Sequence, residues 1–146
     1  MAATRGSWLN NVAQARGWLG ENGRVLGSAR AALLSMRYDA EASIQTVADY
    51  ARQNLDGLRR AGVPVGTDAD TIAQSAYLGH HLGLGDAIKF AKGGLDPARA
   101  RTLLCAQIGT ARATQDIAQA GDASAAHRSW FLDYVRRHLQ PERFSA

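Results

Sequence analysis

One cysteine in 146 residues, Cys105, leaves no internal disulfide to hold the fold. It lies in the apolar run Leu103-Leu104-Cys105-Ala106 and reads as a small buried hydrophobe rather than a reactive thiol. Lysine is nearly missing: Lys89 and Lys92 stand against fifteen arginines. Glutamate is scarce too, with only Glu21, Glu41 and Glu142. No stretch approaches the roughly 20 consecutive apolar residues of a membrane span. Met1 to Leu9 holds no apolar segment of signal-peptide length, so the compartment stays open, and action outside the cytoplasm is expected to need another delivery route or a longer exported chain. Alternation of apolar and polar residues never persists for a full strand, and there is no internal repeat, low-complexity tract or linker.

What is present is helical spacing. A hydrophobic content of 46% is that of a globular chain, and the length suits one domain over residues 1–146. Ser7 caps a first helix expected to run to about Gly20, followed by a stop at Glu21-Asn22-Gly23. A second helix is expected over Val25–Met36. The third is the clearest: Ile44, Val47, Ala48, Ala51, Leu55 and Leu58 recur at spacings of three and four between Ala40 and Ala61, which predicts one apolar stripe facing a core. After the breaker Gly62-Val63-Pro64-Val65-Gly66, Thr67 is the expected cap of a fourth helix, with Asp70 three positions on. A short helix over Asp86–Lys92 precedes Asp96-Pro97, an N-cap followed by proline at the first helical position. That helix is expected to reach Gln119, burying Leu103, Leu104, Ile108, Ala111 and Ile117. Asp122 caps the last helix, striped with Trp130, Phe131, Tyr134, Val135 and Leu139. The chain thus reads as a compact all-α fold of about six or seven helices, with residues 1–6 and 142–146 as loose ends.

Three places carry candidate chemistry. Glu21, expected at the C-terminus of the first helix beside Trp18 and Leu19, would keep a proton through the negative helix end and apolar neighbours, as a general acid for glycosidic cleavage requires. The alternative is a solvent-facing glutamate. Gly79-His80-His81-Leu82-Gly83-Leu84-Gly85 reads either as a glycine-lined groove with imidazole hydrogen-bonders or as a tight helix–helix turn with one buried histidine. It is no phosphate loop, because no Gly-Lys-Ser/Thr follows. It is no metal site either, because adjacent histidines diverge on a helix and no third ligand has recognisable spacing. The aromatics Trp130, Phe131 and Tyr134 fit sugar stacking or, at helical spacing, a core. No cofactor is expected.

The net charge of +4 suits an anionic partner, but the arginines are scattered, with Arg59-Arg60 and Arg136-Arg137 the densest spots. The Thr67–Lys92 segment offers a DNA-reading helix only Lys89 and Lys92 for phosphates, so nucleic acid is the weaker expectation. A non-catalytic helical module that binds a protein partner remains the main alternative to a catalytic role for Glu21.

Over about Trp8 to Lys92 the sequence resembles the lysozyme-like fold of soluble lytic transglycosylases and goose-type lysozymes. The hydrophobic segment running into Glu21-Asn22-Gly23 is similar to that family's helix ending in a catalytic glutamate. Gly27 to Leu34 and Tyr38 to Ile44 are similar to the small-residue segment and Asp-led helix that follow it. Gly79 to Gly85, after Ala76-Tyr77-Leu78, is placed like the family's glycine-rich substrate loop, with His80 at its tyrosine position and His81 at its asparagine position. The histidine pair and the Tyr134-to-Phe144 ending also look like lysozyme-like domains attached to bacterial secretion-system effectors. The resemblance implies a peptidoglycan glycan strand as substrate and Glu21 as catalytic acid and base. Tyr77, His80, His81, Gly83 and Gly85 would line the groove, with no metal.

Overall fold

Capping side chains and glycines, more than apolar spacing, decide where the helices of this chain begin and end. The computed structural model describes residues 5–144, and the loose ends expected over residues 1–4 and 145–146 lie outside that range. Among the described residues there are eight α-helices and no strand ladder, so the fold is all-α. The chain divides into two compact units, Met1–Gln53 and Asn54–Ala146, with the boundary inside its third helix.

The first unit opens with α1 (Trp8–Ala15), capped by the Ser7 hydroxyl accepting from the Asn10 N–H. It ends five residues before the predicted Gly20. Gly17, at φ 66°, lets the Trp18 N–H reach the Ala13 carbonyl at 2.8 Å and its own N–H reach that of Gln14 at 3.0 Å. That paired closure terminates a helix even though the apolar spacing of Trp18 and Leu19 continues past it. The chain then makes a narrow turn closed by an isolated antiparallel bridge between Leu19 and Val25. The helix predicted over Val25–Met36 is broken into a 3-10 turn (Gly27–Ala29), α2 (Arg30–Ser35) and a second 3-10 turn (Met36–Tyr38). Next comes α3 (Ala40–Arg60), started by the Asp39 carboxylate accepting from the Ala42 N–H. The Asp49 carboxylate accepts from the Trp8 N–H at 2.5 Å and pairs with Arg52, which ties the start of α1 to α3 across 41 positions of sequence.

The second unit takes the last turns of α3 and five further helices: α4 (Ala69–Leu82), α5 (Leu84–Ala91), α6 (Pro97–Ile108), α7 (Thr110–Ala120) and α8 (Ala123–His138). Asp68, not Thr67, caps α4, its carboxylate accepting from the Thr71 N–H. The helix expected to continue to Gln119 is two helices. Gly109 turns between them with φ 79° and ψ 156°, a conformation that is nearly glycine-only. Gly83 makes the same corner between α4 and α5, at φ 74° and ψ 154°. In both, one glycine closes a helix with its N–H and opens the next with its carbonyl. Breaking the predicted helix there turns Ala111 outward and Ala113 inward. Helices α6, α7 and α8 pack on one another, and the Pro141–Phe144 3-10 turn, expected to trail off from residue 142, lies against α4. The core of this unit gathers Leu55, Leu58, Leu78, Leu82, Phe90, Phe131 and Val135, with Leu104, Ala113 and Ala126 continuing it under α7.

Candidate functional site

The candidate residues fall into both units, and each group has its own geometry. In the first unit, Glu21 is not at a helix end. It sits exposed at the tip of the Leu19–Val25 turn, six residues after α1 stops. The helix-end argument for holding its proton therefore does not apply. Trp18 is half-buried and carries the Arg16 guanidinium 5.0 Å above its ring. What Glu21 does share is an open cleft of about 660 Å³, lined by Arg5, Asn10, Gln14, Leu19, Gly20, Asn22 and Gly23. Glu21 is the carboxyl of that lining. Around it stand three amide side chains, Asn10, Gln14 and Asn22, and the Arg5 guanidinium, groups able to hydrogen-bond a polar ligand, although the buried Asn10 already accepts from the Gly6 N–H. The Asn22 side chain is committed in part to the turn, accepting from the Arg24 N–H at 2.9 Å.

The second unit resolves the two readings of Gly79–Gly85. The stretch is not a loop. Gly79 to Leu82 complete α4, Gly83 is the corner, and Leu84-Gly85 begin α5. It makes a tight helix–helix turn in which His80 is exposed and His81 is half-buried, short of the buried histidine expected for such a turn. Gly79 has a packing role, because a Cβ there would come within 2.5 Å of the Asn54 Cβ. Gly83 serves the corner, and Gly85 is exposed in the first turn of α5, with open space where a Cβ would stand.

Tyr77 and His81 are brought together with the α8 aromatics. The Tyr77 ring stacks on His81 at 5.8 Å, on Phe131 at 6.0 Å and on Tyr134 at 5.9 Å. His81 lies 5.6 Å from Trp130 and 5.5 Å from Phe131. His80 stays at the edge, 6.3 Å from Tyr77. Trp130 and Tyr134 are half-buried and Phe131 is buried, so this stripe is chiefly core and only its edge meets solvent. Burial, helped by the Tyr134 hydroxyl beside it, pushes the Tyr77 hydroxyl up to about 12. At neutral pH Tyr77 is thus a neutral hydrogen-bonding group. Burial first and then the neighbouring His80 hold the His81 imidazole below its usual range, so it too is neutral near pH 7.

His127 was not among the expected site residues. It is fully buried on α8, 6.5 Å from His81 with the rings nearly parallel, and burial followed by the proximity of His81 brings its pKa down to about 4. The sequence did carry its signal: His127 precedes Trp130 by three and Phe131 by four, on the same helical stripe.

Among the described residues no three His, Cys, Asp or Glu side chains gather as a metal site, and no helix is long and apolar enough to cross a membrane. The class this geometry defines is an all-helical chain of two compact units, one carrying a polar cleft and the other an aromatic–histidine core. Comparison with protein-family models, curated proteins and solved structures gives no match for the chain.

Proposed function

We propose that this chain is a peptidoglycan-directed module that binds glycan strands and cleaves them with Glu21 as the proton-transferring group. The observation that carries the reading is the Glu21 cleft. Its volume of about 660 Å³ suits a short saccharide, and amide and guanidinium side chains flank a single carboxyl among the described lining. Amides and guanidinium match the hydroxyl, acetamido and lactyl-peptide carboxylate groups of a glycan strand. One carboxyl without a second carboxylate fits the acid-then-base role that the lysozyme-like resemblance implies for Glu21, in which the muramic 6-hydroxyl or a water completes the reaction.

The test is digestion of purified peptidoglycan followed by mass spectrometry. Anhydro-muramic ends identify a transglycosylase, and reducing ends a hydrolase. Glu21→Gln is expected to abolish fragments while leaving co-sedimentation with insoluble wall intact. Absence of both fragments and sedimentation from the unaltered chain rejects the proposal.

A second reading has its own observation. In the first unit Tyr38, Ile44, Val47 and Leu34 are 78%, 67%, 59% and 51% exposed, beside an apolar groove of about 330 Å³ lined by Leu9, Leu33, Met36 and Ala42. Contiguous exposed apolar surface of this kind is typical of protein-binding faces. Association that is abolished by Ile44→Asp, in a chain that ignores peptidoglycan, would favour a protein-interaction module instead.

A further inference from the structure

The core of the second unit contains a group that a hydrophobic core does not need. His127 is 0% exposed, and neither its Nδ1 nor its Nε2 has a hydrogen-bond partner among the described residues; the buried Nε2 of His81 has none either. Around the two rings stand Phe90 of α5 at 5.8 Å from His127, and Trp130 and Phe131 of α8 at 6.0 and 6.5 Å. The two imidazoles face each other across the α4–α8 contact at 6.5 Å, almost parallel.

We propose that His81 and His127 form an acid-sensitive latch: while both rings are neutral they hold α8 against α4 and α5, and taking up a proton releases that contact. The argument rests on what surrounds the rings. A neutral imidazole is tolerated in an aromatic box, whereas an imidazolium there has two N–H donors without acceptors and a charge without a counter-ion. The ionisable groups facing the pair offer no relief. From α4 they are His80 and the neutral Tyr77. From α8 they are Tyr134, against Tyr77, and Arg128, whose guanidinium lies 4.9 Å over the Phe90 ring and donates to the Phe90 carbonyl. From α5 the Phe90 ring meets the pair, while Asp86 is paired with Lys89 and with Arg99 of α6. From α6 and α7, which also pack against α8, Arg99, Arg101 and Arg112 are exposed, and Asp116 is paired with Arg112. The charge acting on His127 is that of His81, and the charge acting on His81 is that of His80; among the described residues no carboxylate acts on either. A proton on one ring therefore opposes a proton on the other, and the way to accommodate either is to let water reach α8.

The sign follows from linkage. His127 is held at about 4 when folded, against 6.5 for a free imidazole. The opened state binds more protons between those values, so the latch is fully closed above about pH 6.5 and weakens as the pH falls toward 4. Because α4 also carries Tyr77, His80 and His81, opening disperses the aromatic cluster with it.

The test uses the full chain. Amide hydrogen exchange, corrected for its intrinsic pH dependence, is measured over α8 at pH 7 and pH 4, and the His127 ring is titrated by NMR in the same protein. Opening of α8 is expected to rise on the order of a hundredfold between the two pH values, and in His127→Leu the rise is expected to shrink to a few-fold. A His127 ring that titrates near 6.5 in the folded chain overturns the proposal. So does a His127→Leu chain whose α8 opens with acid as steeply as the parent's. The ring titration needs no substitution, so it decides the matter even if the Leu variant fails to fold.

Discussion

The residues before and after Gln53 bury different things. Up to that point the buried side chains are Ala13, Ala29 and Ala42 together with the polar Ser7, Asn10 and Asp49. Beyond it they include Leu55, Leu58, Leu78, Leu82, Phe90, Leu104, Phe131 and Val135. The first unit is held by small residues in close contact and by a carboxylate aimed at a backbone N–H. The second is held by large apolar side chains. Burying apolar area contributes roughly 25 cal/mol per Å² removed from water, so the second unit owes its stability to a core, and the first depends on a few directional bonds. The first unit also leaves the large apolar side chains of Tyr38, Ile44 and Val47 in solvent.

This contrast can be broken most directly by truncation. Leu104 is fully buried, and Leu104→Ala is expected to cost about 2–5 kcal/mol. Ile44→Ala, at a residue 67% exposed, is expected to change stability by no more than about 0.5 kcal/mol. Urea unfolding of the two variants measures the difference, and equal losses would mean that the apolar face of the first unit is covered in solution. Next comes Gly79→Ala, whose new methyl would meet the Asn54 Cβ at 2.5 Å and Cγ at 2.7 Å, neither of which is the free end of a long side chain. A loss of about 1–3 kcal/mol in thermal unfolding is expected from that overlap. Smallest is Asp49→Ala, which removes the acceptor of the Trp8 N–H and the partner of Arg52, for about 1–2 kcal/mol. Its pH dependence sharpens the comparison. The Trp8 N–H holds the Asp49 carboxyl below its ordinary 3.8, burial opposes this, and Arg52 adds to it. A lowered carboxyl contributes stability above its unfolded value, which is lost as the pH falls below about 4 toward the folded one. Acid therefore loosens the first unit through Asp49 and the second through its histidines, at a higher pH. Protection of the Trp8 amide against hydrogen exchange reports the first, and Asp49→Ala is expected to abolish it already at pH 7.

Much of the fold was legible because the signals were local. The bounds of α3, the start of α6 at Asp96-Pro97 and the Asp122 cap of α8 each follow from side chains within four residues of the backbone they serve. Thr67 lost the α4 cap to Asp68, a one-residue error that the neighbouring Asp70 encouraged. Gly17 and Gly109 were misread for a shared reason. Apolar spacing carries on across both, and nothing in periodicity distinguishes a glycine tolerated inside a helix from one whose positive φ ends it. Of the candidate site, the inward turn of one histidine was an open alternative at Gly79–Gly85. The setting of Glu21 was not legible, because its assignment to a helix end depended on where α1 stops.

By itself the sequence determined that this chain is helical and where most helices begin, since capping and the i, i+4 bond are settled within a turn of backbone. Tertiary structure alone decided which faces those helices hide. It left Ile44 and Val47 in water while burying Leu55 and Leu58 of the same stripe. It also turned His81 of α4 toward His127 of α8, far along the chain, because burial is a property of the partner that arrives from elsewhere in the sequence.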